Sequence, residues 1–187
     1  MRTFIAIDLD HKIRERIASL QAKLKSRGPK LSWVRPEAMH LTIKFLGEVE
    51  EAQIEPIKTA LAGVAAQGRA FDITFGGLGV FPPHGRANVL WLGIEDKSGG
   101  LKTCWKACED ALAGVGLPRE DRPFSAHLTL ARNKNPRLSQ EVRKLLQNPL
   151  PFEPQEQRVH GLTFYQSTLT AEGSIHEVLS RHEFSAA

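Results

Sequence analysis

Two stretches decide how this chain folds: MHLTIKFLG, residues 39–47, and AHLTLAR, residues 126–132. Both contain His-Leu-Thr, and in both the residues alternate between apolar and polar, which is typical of a half-buried β-strand. In each copy the histidine and the threonine therefore share one strand face, while the leucine between them takes the other face. The sequence predicts two apolar-backed strands that each present an imidazole and a hydroxyl.

These side chains are suited to acid–base chemistry at phosphorus. Because unperturbed histidine has a pKa of about 6.5, either of His40 and His127 can serve as proton donor and the other as proton acceptor at neutral pH if their surroundings differ. One ring would activate water or a hydroxyl, and the other would protonate the leaving oxygen. The hydroxyls of Thr42 and Thr129 can donate to a non-bridging phosphoryl oxygen. This scheme needs no metal and no cofactor, and the sequence offers no HExxH or paired-cysteine site, so we expect neither.

Composition narrows the class of protein. The 187 residues are 41% hydrophobic and 25% charged, which predicts one globular domain over residues 1–187. No apolar run is long enough to span a membrane, and the opening MRTFIAIDLD reaches charge too early for a secretory signal, so we expect a cytoplasmic protein with no membrane partner. The net charge of +4 permits a polyanionic partner without requiring one. Cys104 and Cys108 are expected to be small buried thiols.

Strands and helices alternate along the chain, and each motif strand is followed by a helix. The two motif histidines lie 87 residues apart (127 minus 40), close to half the chain, which suggests a structural pseudo-repeat. Beside the motif strands, the predicted elements are strands at Arg2–Leu9, Leu31–Val34, Phe71–Leu78 and Asn88–Ile94, helices at Lys12–Ser26, Glu51–Ala66, Ser98–Ala113 and Ser139–Gln147, and two closing strands.

The motifs also carry a resemblance to a known family. WVRPEAMHLTIKFLGEV, residues 33–49, and FSAHLTLAR, residues 124–132, resemble the paired motifs of the bacterial RNA 2',3'-cyclic phosphodiesterases. These are the LigT-like members of the two-histidine phosphoesterase superfamily, formerly described as 2'-5' RNA ligases. RTFIAIDL at residues 2–9, GVFPPHGRANVLWLGI at residues 79–94 and the closing stretch of residues 165–184 are similar too. The resemblance therefore covers nearly the whole chain.

The resemblance implies an α+β fold with two lobes, in which two antiparallel sheets face each other across a central cleft, helices lie outside, and the lobes are related by a pseudo-twofold axis. It implies hydrolysis of an RNA 2',3'-cyclic phosphate end, such as that of a tRNA fragment, to a 2'-phosphomonoester by a monomer, with reversible 2'-5' RNA ligation as a related reaction. It further implies that His40 is the proton donor and His127 the proton acceptor. Thr42 and Thr129 match the threonines of the motifs, which we expect to hold the phosphate.

Further residues are candidates for contact with the substrate. Arg132 matches a basic position after the second motif, although strict alternation turns it away from His127 unless the strand ends or twists there. Lys44 shares the parity of His40 and, like Arg35, is a candidate for phosphate contact. Phe81 either stacks on a base or covers the core.

The expectations for seven more residues set the extent of the predicted site. Trp91 and Tyr165 are expected in the core, with a position lining a cleft as the alternative. The five histidines outside the motifs are expected at the surface: His11, His84, His160, His176 and His182.

Two other functions fit the same residues. An enzyme of this superfamily acting on a different cyclic or 2'-5' nucleotide would keep both motifs. A noncatalytic module that binds RNA ends would keep the basic surface but need neither histidine as an acid or base. Replacement of either motif histidine by alanine separates the enzymes from the binding module, because only an enzyme has turnover to lose.

Overall fold

The computed structural model describes residues 1–171 and 173–185, and in these ranges it contains two β-sheets and four α-helices. The strands are β1 (Arg2–Asp8), β2 (Ser32–Trp33), β3 (His40–Glu48), β4 (Phe71–Phe81), β5 (Val89–Glu95), β6 (His127–Arg132), β7 (Gln155–Val159), β8 (Gly161–Thr170) and β9 (Gly173–Glu183). The helices are α1 (His11–Arg27), α2 (Glu51–Gln67), α3 (Gly100–Gly114) and α4 (Ser139–Gln147).

Each sheet carries one motif strand. The first sheet has the order β3-β1-β8-β9 and the second the order β2-β6-β5-β4-β7, and all their pairings are antiparallel. The motif strands β3 and β6 contact each other, so the two motifs meet where the sheets meet. The predicted α+β fold with two antiparallel sheets is confirmed.

The two halves of the chain exchange strands. The first half runs β1-α1-β3-α2-β4 and the second runs β5-α3-β6-α4 and on to β8, which repeats one order of elements. Yet β4 lies between β5 and β7 in the second sheet, and β8 pairs with β1 in the first sheet. Each sheet is thus completed by strands from the other half, which is a pseudo-twofold arrangement.

Helical periodicity predicts the helices closely, because each buries one apolar stripe. In α1 the buried residues include Ile13, Ile17, Leu20 and Leu24, and α4 has the bounds that the sequence predicts. The start of α3 is an exception. Ser98 is not its N-cap: Gly99 holds that place in the left-handed region (φ 75°), and the Asp96 carboxylate accepts a hydrogen bond from the Leu101 N–H at 2.8 Å.

The strand predictions need two corrections. Strand β4 continues beyond its predicted end at Leu78 as far as Phe81, which pairs with Val89. The closing part of the chain contains three described strands instead of two, since Gln155–Val159 pairs with the start of β4 at the edge of the second sheet.

Buried polar side chains link the two sheets across a continuous apolar core. Gln21 of α1 donates to the carbonyls of Val34 at 2.7 Å and of Leu130 at 2.9 Å. Gln157 of β7 donates to the Asp8 carbonyl at 2.8 Å. These bonds satisfy backbone groups that would otherwise be buried without partners.

Cys104 and Cys108 are buried and free, as expected. No helix in the described part of the chain has the length and apolar character needed to cross a membrane.

Candidate active site

The first motif places His40 in a closely packed environment at the start of β3. Its Nδ1 lies 2.8 Å from the Ala38 carbonyl oxygen, two residues back along the chain. The ring stacks on Phe4 with centroids 4.5 Å apart, and the ring of His176 meets it edge-on at 4.9 Å. Because β3 and β9 lie at opposite edges of the first sheet, this contact requires the sheet to curl around the histidine.

This environment disfavours a positive charge on the ring. Burial, together with the neighbouring His176, lowers the pKa of His40 from its ordinary value to about 4. The hydrogen bond to Ala38 and the Asp8 carboxylate act in the opposite sense but are outweighed. His40 is therefore a neutral imidazole in the free protein near pH 7.

The second motif repeats the backbone contact in a more open setting. The Nδ1 of His127 lies 2.8 Å from the Ser125 carbonyl oxygen, again two residues back. Its ring meets Phe81 edge-on at 4.9 Å, and Trp91 lies farther away at 6.4 Å. In a neutral ring the carbonyl selects the tautomer with the proton on Nδ1, which leaves Nε2 of each motif histidine free to exchange a proton.

A β-bulge follows the threonine in both motif strands. In β3, Ile43 has no partner in the ladder between Thr42 and Lys44, and in β6 the same is true of Leu130. A bulge shifts the alternation by one residue and re-aims the side chains that follow it. Arg132 is thereby returned to the face of His127, where it is exposed, as its expected role requires.

Thr42 and Thr129 lie on the same strand faces as His40 and His127, respectively. Thr42 and Thr129 are partly exposed, two residues after their histidines, and within the described residues neither hydroxyl has a hydrogen-bond partner. Hydroxyls that stay unpaired at an open surface are available to a ligand oxygen. The arrangement thus offers two imidazoles, two hydroxyls and one guanidinium along the line where the motif strands meet.

Comparison with known proteins places this geometry in a family. The model of the LigT-like phosphoesterases matches residues 7–91, which contain the first motif. Over 96% of its length the chain is 36% identical to an RNA 2',3'-cyclic phosphodiesterase of Archaeoglobus fulgidus, covering 98% of that protein. A Thermotoga maritima protein of the same name is 34% identical, with 98% of this chain and 96% of that protein covered. The chain belongs to the LigT-like phosphoesterases.

Solved structures agree with this assignment. A Thermus thermophilus protein superposes with a TM-score of 0.81 at 26% identity, and E. coli LigT in complex with 3'-AMP superposes with a TM-score of 0.75 at 27% identity. Each comparison covers 98% of both chains. The resemblance inferred from the motifs is confirmed, although the relatives include archaeal proteins and the bacterial label was too narrow.

The substrate contact expected of Lys44 does not fit the structure of this LigT-like phosphoesterase. The bulge at Ile43 turns Lys44 to the opposite face from His40, where its side chain is 6% exposed. Its Nζ donates to Glu109 Oε1 at 2.7 Å and to the Pro118 carbonyl at 2.9 Å. Lys44 therefore ties the first motif strand to α3 and to the segment that leads into the second motif.

The aromatic residues line the site. Phe81 packs between Trp91, at 5.1 Å, and His127. The indole of Trp91 lies flat over Gly79, where any Cβ would come within 2.2 Å of its ring carbons. Tyr165 stacks on Phe4 at 5.2 Å. The core positions expected of Trp91 and Tyr165 were wrong, because both rings stand on the sheet faces that carry the histidines.

Two neighbours of His40, Asp8 and His176, were not predicted from the sequence. His176 was expected at the surface but contacts His40. Asp8, directly opposite His40 on β1, accepts hydrogen bonds from Tyr165, from Thr163 at 2.8 Å and from Arg181 at 2.8 Å. Asp8 could have been found, because a carboxylate at the end of an apolar strand is unusual. His176 carried no such signal, since its contact depends on the curl of the sheet.

Metal binding would require a cluster of suitable side chains within residues 1–171 and 173–185. No group of three or more histidine, cysteine, aspartate or glutamate side chains there is arranged to hold a metal ion.

Proposed function

We propose that this LigT-like phosphoesterase hydrolyses RNA 2',3'-cyclic phosphate ends to 2'-phosphomonoesters, with His40 as proton donor and His127 as proton acceptor. The observation that carries the proposal is the matched pair of Nδ1 contacts, each 2.8 Å from a backbone carbonyl, on two motif strands that touch. Each carbonyl occupies Nδ1 and leaves Nε2 to exchange the proton: His127 accepts with an unprotonated Nε2, and His40 donates as an imidazolium that also carries a proton on Nε2.

The reaction is an in-line displacement at phosphorus. Water attacks the phosphorus atom and passes a proton to Nε2 of His127, while the bond between phosphorus and O3' breaks. His40 gives its Nε2 proton to O3' as that oxygen leaves. The products are a 3'-hydroxyl and a 2'-phosphomonoester. By microscopic reversibility the two histidines exchange roles in the reverse direction, which is the basis for proposing 2'-5' ligation by the same site.

Thr42, Thr129 and Arg132 hold the phosphate in this scheme. The two hydroxyls lie beside their histidines on opposite sheets, so they can donate to different non-bridging oxygens. Arg132 adds a positive charge at the edge where the motif strands meet. Donors aimed at the oxygens that gain charge in the transition state typically contribute a factor of about 10²–10³ each to the rate. Phe81 is placed to stack on a base while its edge supports His127.

The donor role of His40 depends on the substrate. Its pKa of about 4 leaves it neutral in the free protein at pH 7. A cyclic phosphate carries a negative charge, and a negative charge beside the ring favours the protonated form. Binding of the substrate therefore raises the pKa of the group that must give up the proton.

The wider features of the enzyme follow from the same arrangement. Both motifs lie on one chain, so a monomer holds a complete site, and we propose that residues 1–187 act as one catalytic domain. RNA fragments with cyclic phosphate ends, such as those cut from tRNA, are the proposed substrates, and they fit a cytoplasmic location.

Phosphorus NMR of an RNA dinucleotide with a 2',3'-cyclic phosphate end tests the reaction. The wild type in EDTA should yield the 2'-phosphomonoester, and His40→Ala and His127→Ala should yield none above background. A 3'-phosphate product would overturn the donor and acceptor assignment. No product from folded wild type would shift the function to another phosphodiester or to binding alone.

A further inference from the structure

Arg35 and His176 form an edge of nitrogen donors beside His40. Arg35 lies just before the first motif, and its Nη2 donates to the Ser174 carbonyl on β9 at 3.3 Å. Two residues along the same face of β9, His176 meets both His40 and Phe4 at 4.9 Å. The charge of Arg35 is close enough to add to burial in lowering the pKa of His176. One strand thus brings an exposed guanidinium and a half-buried imidazole to the same side of the catalytic ring.

Arg35 and His176 have no ion-pair partner among the residues that the structure describes. Glu177 follows His176 in sequence, and alternation turns it to the other face of β9. Asp8 is engaged by Tyr165, Thr163 and Arg181. A pair of nitrogen donors without a carboxylate partner, next to a phosphate-handling group, is arranged for a second anion.

The second sheet has no matching feature. Its outer strand β7 pairs with β4 only over Phe71–Phe75, far from Phe81 and His127. In the first sheet, by contrast, β9 pairs with β8 along its whole length and reaches the turn before His40. The pair formed by Arg35 and His176 therefore lies on the His40 side of the site.

The direction of the proposed reaction indicates which anion would bind at Arg35 and His176. If water enters from the side of His127 and O3' leaves toward His40, the ribose that carries O3' lies on the His40 side. The RNA chain continues from the 5' oxygen of that ribose. We propose that Arg35 and His176 form a subsite for the phosphate on the 5' side of the terminal nucleoside. This inference rests on the proposed function, and it predicts a preference for RNA ends over cyclic mononucleosides.

The test compares two compounds that differ in one phosphate: adenosine 2',3'-cyclic phosphate with a 5'-hydroxyl, and the same compound with a 5'-phosphate. In the wild type the 5'-phosphate should raise kcat/KM by about tenfold or more, the range of a hydrogen bond to a charged group. Arg35→Ala and His176→Gln should bring this ratio close to one. In Arg35→Ala the slope of log kcat/KM against log salt for the phosphorylated compound should also shrink by roughly 0.7.

Arg69→Ala is the matched control. Arg69 is exposed next to the start of β4, at the opposite end of that strand from Phe81, so its loss removes one positive charge far from the site. It should keep the wild-type ratio. Equal kcat/KM for both compounds in the wild type, or a ratio that survives Arg35→Ala, would overturn the subsite while leaving the proposed function intact. Hydrolysis of neither compound by the wild type would instead overturn the proposed function.

Discussion

The two motif strands share a backbone and differ in their surroundings. Each begins with a histidine whose Nδ1 contacts the carbonyl two residues back, and each has a bulge after its threonine. The neighbouring strand, however, places Asp8 opposite His40 and Gly93 opposite His127. His40 is packed against Phe4 and His176, whereas His127 meets only the edge of Phe81 among its nearest rings.

The shared backbone and the unequal surroundings of the two histidines meet two different requirements of the proposed reaction. The repeated backbone gives both motif histidines the same Nδ1 contact, and the closer packing around His40 lowers the pKa of that ring. General acid–base catalysis needs both, because two identical histidines would compete for the same role.

The largest effect should come from removing either ring. His40→Ala and His127→Ala should each lower kcat on the RNA cyclic phosphate by about 10²–10⁴-fold, the usual contribution of a positioned acid or base. Steady-state kinetics with matched circular dichroism measures this.

A substrate whose leaving group needs no proton should distinguish His40→Ala from His127→Ala. On bis(p-nitrophenyl) phosphate, His40→Ala should recover a larger share of wild-type kcat/KM than His127→Ala, because p-nitrophenolate leaves without an acid. Greater recovery by His127→Ala would mean that the donor and acceptor are reversed.

The second effect concerns the position after the bulge, which is Lys44 in the first motif and Ala131 in the second. Lys44→Ala should destabilise the protein by about 3–5 kcal/mol, because it leaves the buried Glu109 carboxylate without its partner. Urea unfolding measures the change. The double variant Lys44→Met with Glu109→Leu should recover most of the loss, and a double variant as unstable as the single one would contradict the explanation.

The threonines should show a smaller and more symmetrical effect. Thr42→Val and Thr129→Val should each lower kcat by about 10²-fold, since each removes one donor to the phosphoryl oxygens. Thr→Ser at the same positions keeps the hydroxyl and serves as control. A valine variant with wild-type kcat would remove that threonine from the mechanism.

The smallest effect is a change in proton affinity. An NMR titration of the free protein should show the His40 ring protonating with a pKa of about 4, so that it is neutral at pH 7. His176→Gln should raise that pKa, because it removes a neighbouring group whose charge opposes protonation. A 2'-phosphomonoester should also raise it. An unchanged pKa in both experiments would contradict the electrostatic account of His40.

Local pattern predicts much of this molecule. The alternation in the motifs predicts both motif strands, and the apolar stripes predict all four helices. These features depend on residues close in sequence, where periodicity is informative.

The errors lie where structure depends on distant contacts. Alternation misplaces Lys44 and Arg132, because neither bulge has a sequence signal in the strand that carries it. His176 reaches His40 only because the outer strands of one sheet curl together. The core positions predicted for Trp91 and Tyr165 ignore that both faces of these sheets carry apolar rings.

The exchange of strands makes the two halves of the chain mutually dependent. A cut in the loop between β4 and β5 would give one fragment whose last strand has lost both neighbours, and a second fragment whose β8 has lost its pairing with β1. Each fragment would expose unpaired strand edges, which promote aggregation. Fragment complementation would therefore succeed only when both pieces are present together while they fold. Neither motif histidine can therefore be placed in a folded sheet without the half of the chain that carries the other.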